Sequence, residues 1–181
     1  MFGIKGSFSF VPLDKSSTGA AVTIEVESGL TTKFSLLPSV GFEYHIHVNP
    51  VGSNGDCMAT GGHFDPTNVG MAECDPALPE KCQEGDLSGK HGNLKPTISG
   101  AIQKFSYVDK QLTLTGSNNI AGRSVVIHNN GTRVACGNIV ALSGTNHAQV
   151  DQNTKASSSA STSQVNNGAA ADGRISSNEV L

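Results

Sequence analysis

Two histidines, one residue apart, sit inside the run FEYHIHVNP, Phe42 to Pro50. Alternation at period two places Phe42, Tyr44, Ile46 and Val48 on one face of a strand and Glu43, His45 and His47 on the other. Two imidazoles projecting the same way from one rigid strand are the start of a metal site, because histidine is the commonest metal-ligating side chain. His63 follows in GGHFDP, His91 in SGKHGNL, His128 in SVVIHNN and His147 beyond them. His128 ends the apolar run Val125 to Ile127, where a ligand can lean out of a rigid scaffold. If the fold brings His63 and His128 to the His45/His47 face, four imidazole nitrogens converge. A tetragonal set of four suits copper(II), whereas zinc more often takes three histidines plus water, or adds cysteine. His91 lies in a loop and reads as a structural hydrogen-bonding residue, and His147 as a solvated one.

The elements that must position these residues read as short β segments. FSFVPL, AVTIEVES, TKFSLL, FEYHIHV, TISGAIQKFSYV, QLTLTG, RSVVIHN and RVACGNIVAL are alternating or rich in β-branched residues, and Gly, Asn, Asp, Ser or Pro separates them. No segment carries a sustained helical stripe, so an all-β sandwich or Greek-key barrel is expected. Between the fourth and fifth segments runs a long irregular stretch, residues 49 to 96, rich in Gly, Asp, Asn and Pro. A loop of that length inside a compact domain is usually functional. Asp56, Asp65 and Asp75 within it read as turn residues. The β region is expected to form one domain over residues 1–145. Residues 146–181 are small and polar and lack the apolar surface to offset their ordering entropy, so a disordered tail is expected there.

Composition narrows the function classes. The formal net charge is -3 and 15% of residues are charged, which leaves no basic footprint for nucleic acid. No apolar run approaches the roughly 20 residues that span a bilayer. The opening MFGIKGSF shows no apolar leader core. Cysteines number four, Cys57, Cys74, Cys82 and Cys136, and none forms a CxxC pair. An even count without zinc-ribbon spacing suits two disulfides in an oxidising, extracellular setting, with three pairings open.

Taken in order, HIHVNP, GDC, GGHFDP, GDLSGKHGNL, GRSVVIH and GTRVACGNI follow the motif set of the copper/zinc superoxide dismutases over roughly residues 3 to 142. The chain resembles that family. The resemblance implies an eight-stranded antiparallel Greek-key barrel and one copper held by His45, His47, His63 and His128. It implies that Arg133 draws superoxide to the metal and that His63 carries a proton. It also implies a disulfide between Cys57 and Cys136, and Cys74 and Cys82 then close a shortened subloop as a second one.

Two departures from the family pattern refine this. Between His63 and Asp86 there is no histidine, and Gln83 stands where a zinc ligand would be, so zinc is not expected. Only Asn129, Asn130, Gly131 and Thr132 separate His128 from Arg133, so the loop that narrows access to copper is missing. Both departures resemble the copper-only superoxide dismutases of fungi, which are extracellular and often attached to the cell wall. In that group a carboxylate supports the histidine equivalent to His63, and its candidates here are Glu84 and Asp86. The chain is expected to be a monomer acting on superoxide. Asn130-Gly131-Thr132 is a sequon for N-glycan if the chain is secreted. The rival readings are a copper-binding protein without turnover and a noncatalytic wall module.

Overall fold

The computed structural model describes residues 3–13, 18–31, 41–97, 102–142 and 170–172. Their strands are β1 (Lys5–Pro12), β2 (Thr18–Ser28), β3 (Glu43–His47), β4 (Gln103–Thr113), β5 (Ser124–Asn129), β6 (Thr132–Asn138), β7 (Val140–Leu142) and β8 (Ala170–Asp172). They form antiparallel sheets in the orders β1-β2-β4 and β3-β5-β6, with β7 paired to β8.

Alternation explains how these sheets face each other. In β1, Phe8 and Phe10 are buried between Ser7, Ser9 and Val11, which are not. In β2, Ala20, Val22, Ile24 and Val26 point inward from the same sheet. The opposing sheet supplies Phe42, Tyr44, Ile46, Val125 and Ile127 to the same core, closed by Leu87, Leu94, Leu112 and Ile120. This is a β-sandwich whose interior is filled from two inner faces. Val48, expected on the core face of β3, lies beyond the end of the strand and is exposed.

Three sequence expectations change here. The segments TISGAIQKFSYV and QLTLTG are not two strands divided at Asp109: residues 103–113 of both belong to β4. Asp109 does not end the strand because its carboxylate turns inward, accepting hydrogen bonds from the Gln111 and Leu112 amides, and the β2 register shifts there. The second change concerns the expected tail. It falls mostly outside the described residues, but Ala170–Asp172 within it pairs with β7. Thirdly, the two three-stranded sheets share no strand among the described residues, so the pairings stop at a sandwich. TKFSLL, residues 32–37, and His147 lie outside the described set.

The long loop is tied down by both covalent and backbone bonds. Cys57–Cys136 and Cys74–Cys82 are disulfides. Val48 and Asn49 donate to the carbonyls of Gly62 and Thr60, Phe64 donates to Ile46 O, and Ile46 donates to Gly85 O. The loop therefore runs along β3 as an added edge. The single helical turn α1 (Leu87–His91) follows, capped by Asp86, whose side chain accepts from the Gly89 amide. A Cβ at residue 89 would collide with that carboxylate and push the Asp86 side chain out of its cap.

Candidate metal centre

His45 and His47 stand two residues apart on β3, opposite Val126 and Ser124 of β5. His63 is carried to them by the loop edge, where it forms an antiparallel bridge with His47. His128 is the penultimate residue of β5, opposite Glu43. One donor atom from each of the four histidines lies within 4.8 Å of every other. Among the described residues this is the only such group of metal-ligating side chains.

The second nitrogen of each ring decides what the cluster can hold. His47 Nδ1 lies 2.9 Å from Gly61 O, a pure acceptor, so Nδ1 carries the hydrogen and Nε2 is bare. His63 Nδ1 lies 2.8 Å from Gln83 Oε1, which fixes the same tautomer. His128 is hydrogen-bonded to the Gly131 backbone. His45 is turned the other way: Nε2 lies 3.1 Å from Ser88 Oγ and 3.4 Å from Asp86 Oδ1. Its Nδ1 is buried without a hydrogen-bond partner.

His47 Nε2 and His128 Nε2 stand 3.2 Å apart. Burial first, with neighbouring imidazoles also contributing, lowers His128 to about 3; burial chiefly lowers His47 to about 4. A proton bridging the two is therefore disfavoured at neutral pH. His63 is lowered as well, by burial and then by His45. Bare lone pairs converging without a proton between them fit a cation, and an all-imidazole set fits copper better than a hard ion. The orphaned His45 Nδ1 is the strongest single sign of that fit.

Arg133 shares a cleft of about 500 Å³ with the four histidines, Glu43, Gly62, Met71 and Gly131. Its guanidinium is held by the loop: Nη1 donates to Cys57 O at 2.8 Å and to Thr60 Oγ1 at 2.9 Å, and Nη2 to Gly61 O at 2.6 Å. The same segment, 57–61, also receives the His47 hydrogen bond. The Cys57–Cys136 disulfide fastens it to β6, three residues beyond Arg133.

The expected carboxylate support is not found where it was sought. Gln83, not Glu84, accepts from His63. Glu84 is buried with Oε2 unpartnered, and its backbone carbonyl accepts from Lys90. A shift of one residue in an aperiodic loop changes which side chain meets His63. Asp86 meets His45 rather than His63. Burial pushes the Asp86 carboxyl up, but hydrogen bonds from His45 and Gly89 outweigh it and leave the group below its usual value. His91 has the structural role expected: it stacks on Tyr107 at 3.9 Å and bonds Asp109 at 2.9 Å. Asp56, Asp65 and Asp75 accept local amide hydrogen bonds as turn residues. Thr60, Ser88 and Met71 had no signal in sequence, because polar or thioether side chains in loops carry no periodic mark.

Comparison with known proteins adds the family. The copper/zinc superoxide dismutase model matches residues 4–139. The chain belongs to the copper/zinc superoxide dismutase family. A cell-surface Cu-only superoxide dismutase 5 of Candida albicans is 37% identical over 142 residues, 77% of this chain and 56% of that protein. A cell-surface Cu-only superoxide dismutase of Arthroderma benhamiae is 44% identical over 101 residues, 52% of this chain and 26% of that one. The chain thus spans about half or less of the length of these curated relatives. The solved copper(II) structure of the Candida albicans superoxide dismutase 5 aligns with a TM-score of 0.59 and 32% identity, over 80% of this chain and 94% of the other.

Proposed function

We propose that this chain is a copper-only superoxide dismutase, converting superoxide to oxygen and hydrogen peroxide with His45, His47, His63 and His128 as the copper ligands. The observation that carries this reading is the convergence of four imidazoles, with the second nitrogen of His47 and of His63 tied up by a hydrogen bond and His45 Nδ1 left without a partner. Copper bound there supplies a one-electron couple, so that one anion is oxidised and a second reduced without the two having to meet. No zinc ligand set accompanies it among the described residues.

The chain's own side chains supply the rest. Superoxide is a small anion, and Arg133 offers a permanent positive charge on the cleft wall. Its anchoring by four loop acceptors keeps that charge in one place rather than sweeping through solvent. His63 is the least buried of the four ligands. Gln83 holds its Nδ1 hydrogen, so proton exchange falls to Nε2 on the cleft side. His63 is accordingly the proton carrier for peroxide formation, and Gln83 a neutral positioning residue.

The same reading places the chain outside the cell or at its surface, since the relatives are named as cell-surface proteins and both cysteine pairs are oxidised. It takes residues 1–145 as one domain, closed into an eight-stranded barrel, with 146–181 as an appendage, and the chain as a monomer. Asn130, exposed at a hairpin tip with Thr132 two residues on, is the candidate for N-glycan.

Stopped-flow superoxide decay on protein loaded with copper alone, against the metal-free protein, tests the activity. A copper-dependent rate approaching about 10⁹ M⁻¹s⁻¹ is expected. One bound copper without acceleration would favour the copper-binding alternative, in which Gln83 in place of a carboxylate is the cause. Unchanged copper content in His128→Ala would sink the ligand set.

A further inference from the structure

The chain has three methionines, and both internal ones are exposed beside the cleft loop: Met58 is 72% and Met71 83% accessible. Met71 lines the cleft beside His63, whereas Met58 contributes only its carbonyl, as an acceptor for Arg133. A large apolar side chain left in water adds nothing to the core. Yet Met71 is held: its Sδ accepts from Gln83 Nε2 at 3.6 Å, the amide whose oxygen binds His63. One sulfur lone pair is thereby engaged and another left for a ligand.

Thioether sulfur is soft and polarisable, and it selects copper(I) without needing to lose a proton. The four histidines behind it are graded in burial. His47, His128 and His45 are 1%, 6% and 8% exposed, while His63 is only half-buried. An ion arriving from solvent therefore meets Met71 and His63 before the other three.

We propose that the Met71 thioether is the entry ligand for copper(I), capturing the ion at the rim and passing it to His63 by ligand exchange. This rests on the reading that the four histidines hold copper. The metal stays in one oxidation state throughout: a weakly held donor ligand leaves, sulfur binds, and imidazole then displaces sulfur. Gln83 couples the two stations by orienting both.

The test uses the metal-free 181-residue chain with ¹³C-methyl methionine. Copper(I) delivered from a chromophoric chelator complex gives the uptake rate, and silver(I), a redox-silent soft ion, gives a methyl shift. Met71→Leu is expected to take up copper(I) about tenfold more slowly with the final stoichiometry unchanged, and Met58→Leu at the wild-type rate. The Met71 methyl resonance is expected to move with substoichiometric silver(I). Wild-type uptake by Met71→Leu, or an unmoved Met71 resonance, overturns the proposal. Should wild type retain no copper at equilibrium, the failure lies in the four-histidine reading, and the entry role falls with it.

Discussion

Replacing Cys57 and Cys136 together by serine is predicted to cost about 4.5 kcal/mol of unfolding free energy, and replacing Cys74 and Cys82 together about 2.5 kcal/mol. The first bond closes a sequence separation of 79 residues and the second a separation of 8. In the chain-entropy account, each bond limits the unfolded ensemble in proportion to the logarithm of the loop it closes. The tenfold difference in loop length is therefore worth only about 2 kcal/mol. For a chain of this size, losing the longer loop should lower the melting temperature by about 10 to 15 °C. Urea unfolding of the metal-free protein, followed by circular dichroism, separates the two variants and gives their m-values. The long-loop variant also has a functional consequence that the other lacks. Cys57 O accepts from Arg133, and Gly61 O, four residues on, accepts from both Arg133 and His47. Its kcat/KM for superoxide should fall further than the stability loss alone accounts for, while the Cys74/Cys82 variant keeps its rate. Equal losses of stability in the two variants, or the larger loss on cutting the short loop, would refute the loop-closure reasoning.

Gln83→Glu puts a negative charge 2.8 Å from His63 Nδ1; the His63 titration in metal-free protein should rise by about one to three pH units, and an unmoved NMR titration curve would show that Gln83 does not govern that ring. Asp109 is 1% exposed; burial pushes its carboxyl up, but His91 and Lys90 bring it down to about 2. Because the folded value lies below the ordinary 3.8, the unfolded chain takes up the proton first: the stabilisation is complete above about pH 4 and lost as pH falls towards 2, by about 2 kcal/mol. Acid unfolding of wild type and Asp109→Asn checks this, since that part of the pH dependence should vanish in the variant. Arg133→Met should reduce kcat/KM by about tenfold or more and flatten its dependence on ionic strength; a retained salt dependence would place the guiding charge elsewhere.

What the sequence made legible follows from periodicity. His45 and His47 could be placed on one face because β3 alternates, and the core side of that alternation is indeed filled by Phe42, Tyr44 and Ile46. His128 was legible as the polar end of an apolar strand. His63 and the disulfide pairing were not readable from local pattern; they came only with the ordered motif set, because a loop of aperiodic backbone can bring any residue back to the sheet. The same lack of period hid the exchange between Gln83 and Glu84. Asp109-Lys110 looked like a turn by composition, and only a buried partner, Lys90 at 2.7 Å, reveals why the carboxylate points inward and the strand continues. The helical turn at Leu87–His91 was too short to register as a stripe.

The hairpin between β5 and β6 joins these strands to the chemistry. Asn130 and Gly131 have φ of 50 and 74, the positive pair that a tight two-residue turn demands and that Asn-Gly supplies at little strain. The turn is so short that a candidate metal ligand and a cation fall opposite each other, His128 against Arg133. A register shift next to His128 gives β6 one residue more than its partner strand at this point. With no long insertion at this hairpin to shape the approach, the Arg133 guanidinium takes its position from elsewhere: among the described residues its hydrogen bonds go to residues 57–61. That segment is in turn fixed by the bond to Cys136 and by the Thr60 hydroxyl, which donates to Cys57 O and accepts from Arg133. The cation of this cleft is thus positioned by the long loop and its disulfide, so oxidation of Cys57 and Cys136 bears on the geometry of the proposed site as well as on stability.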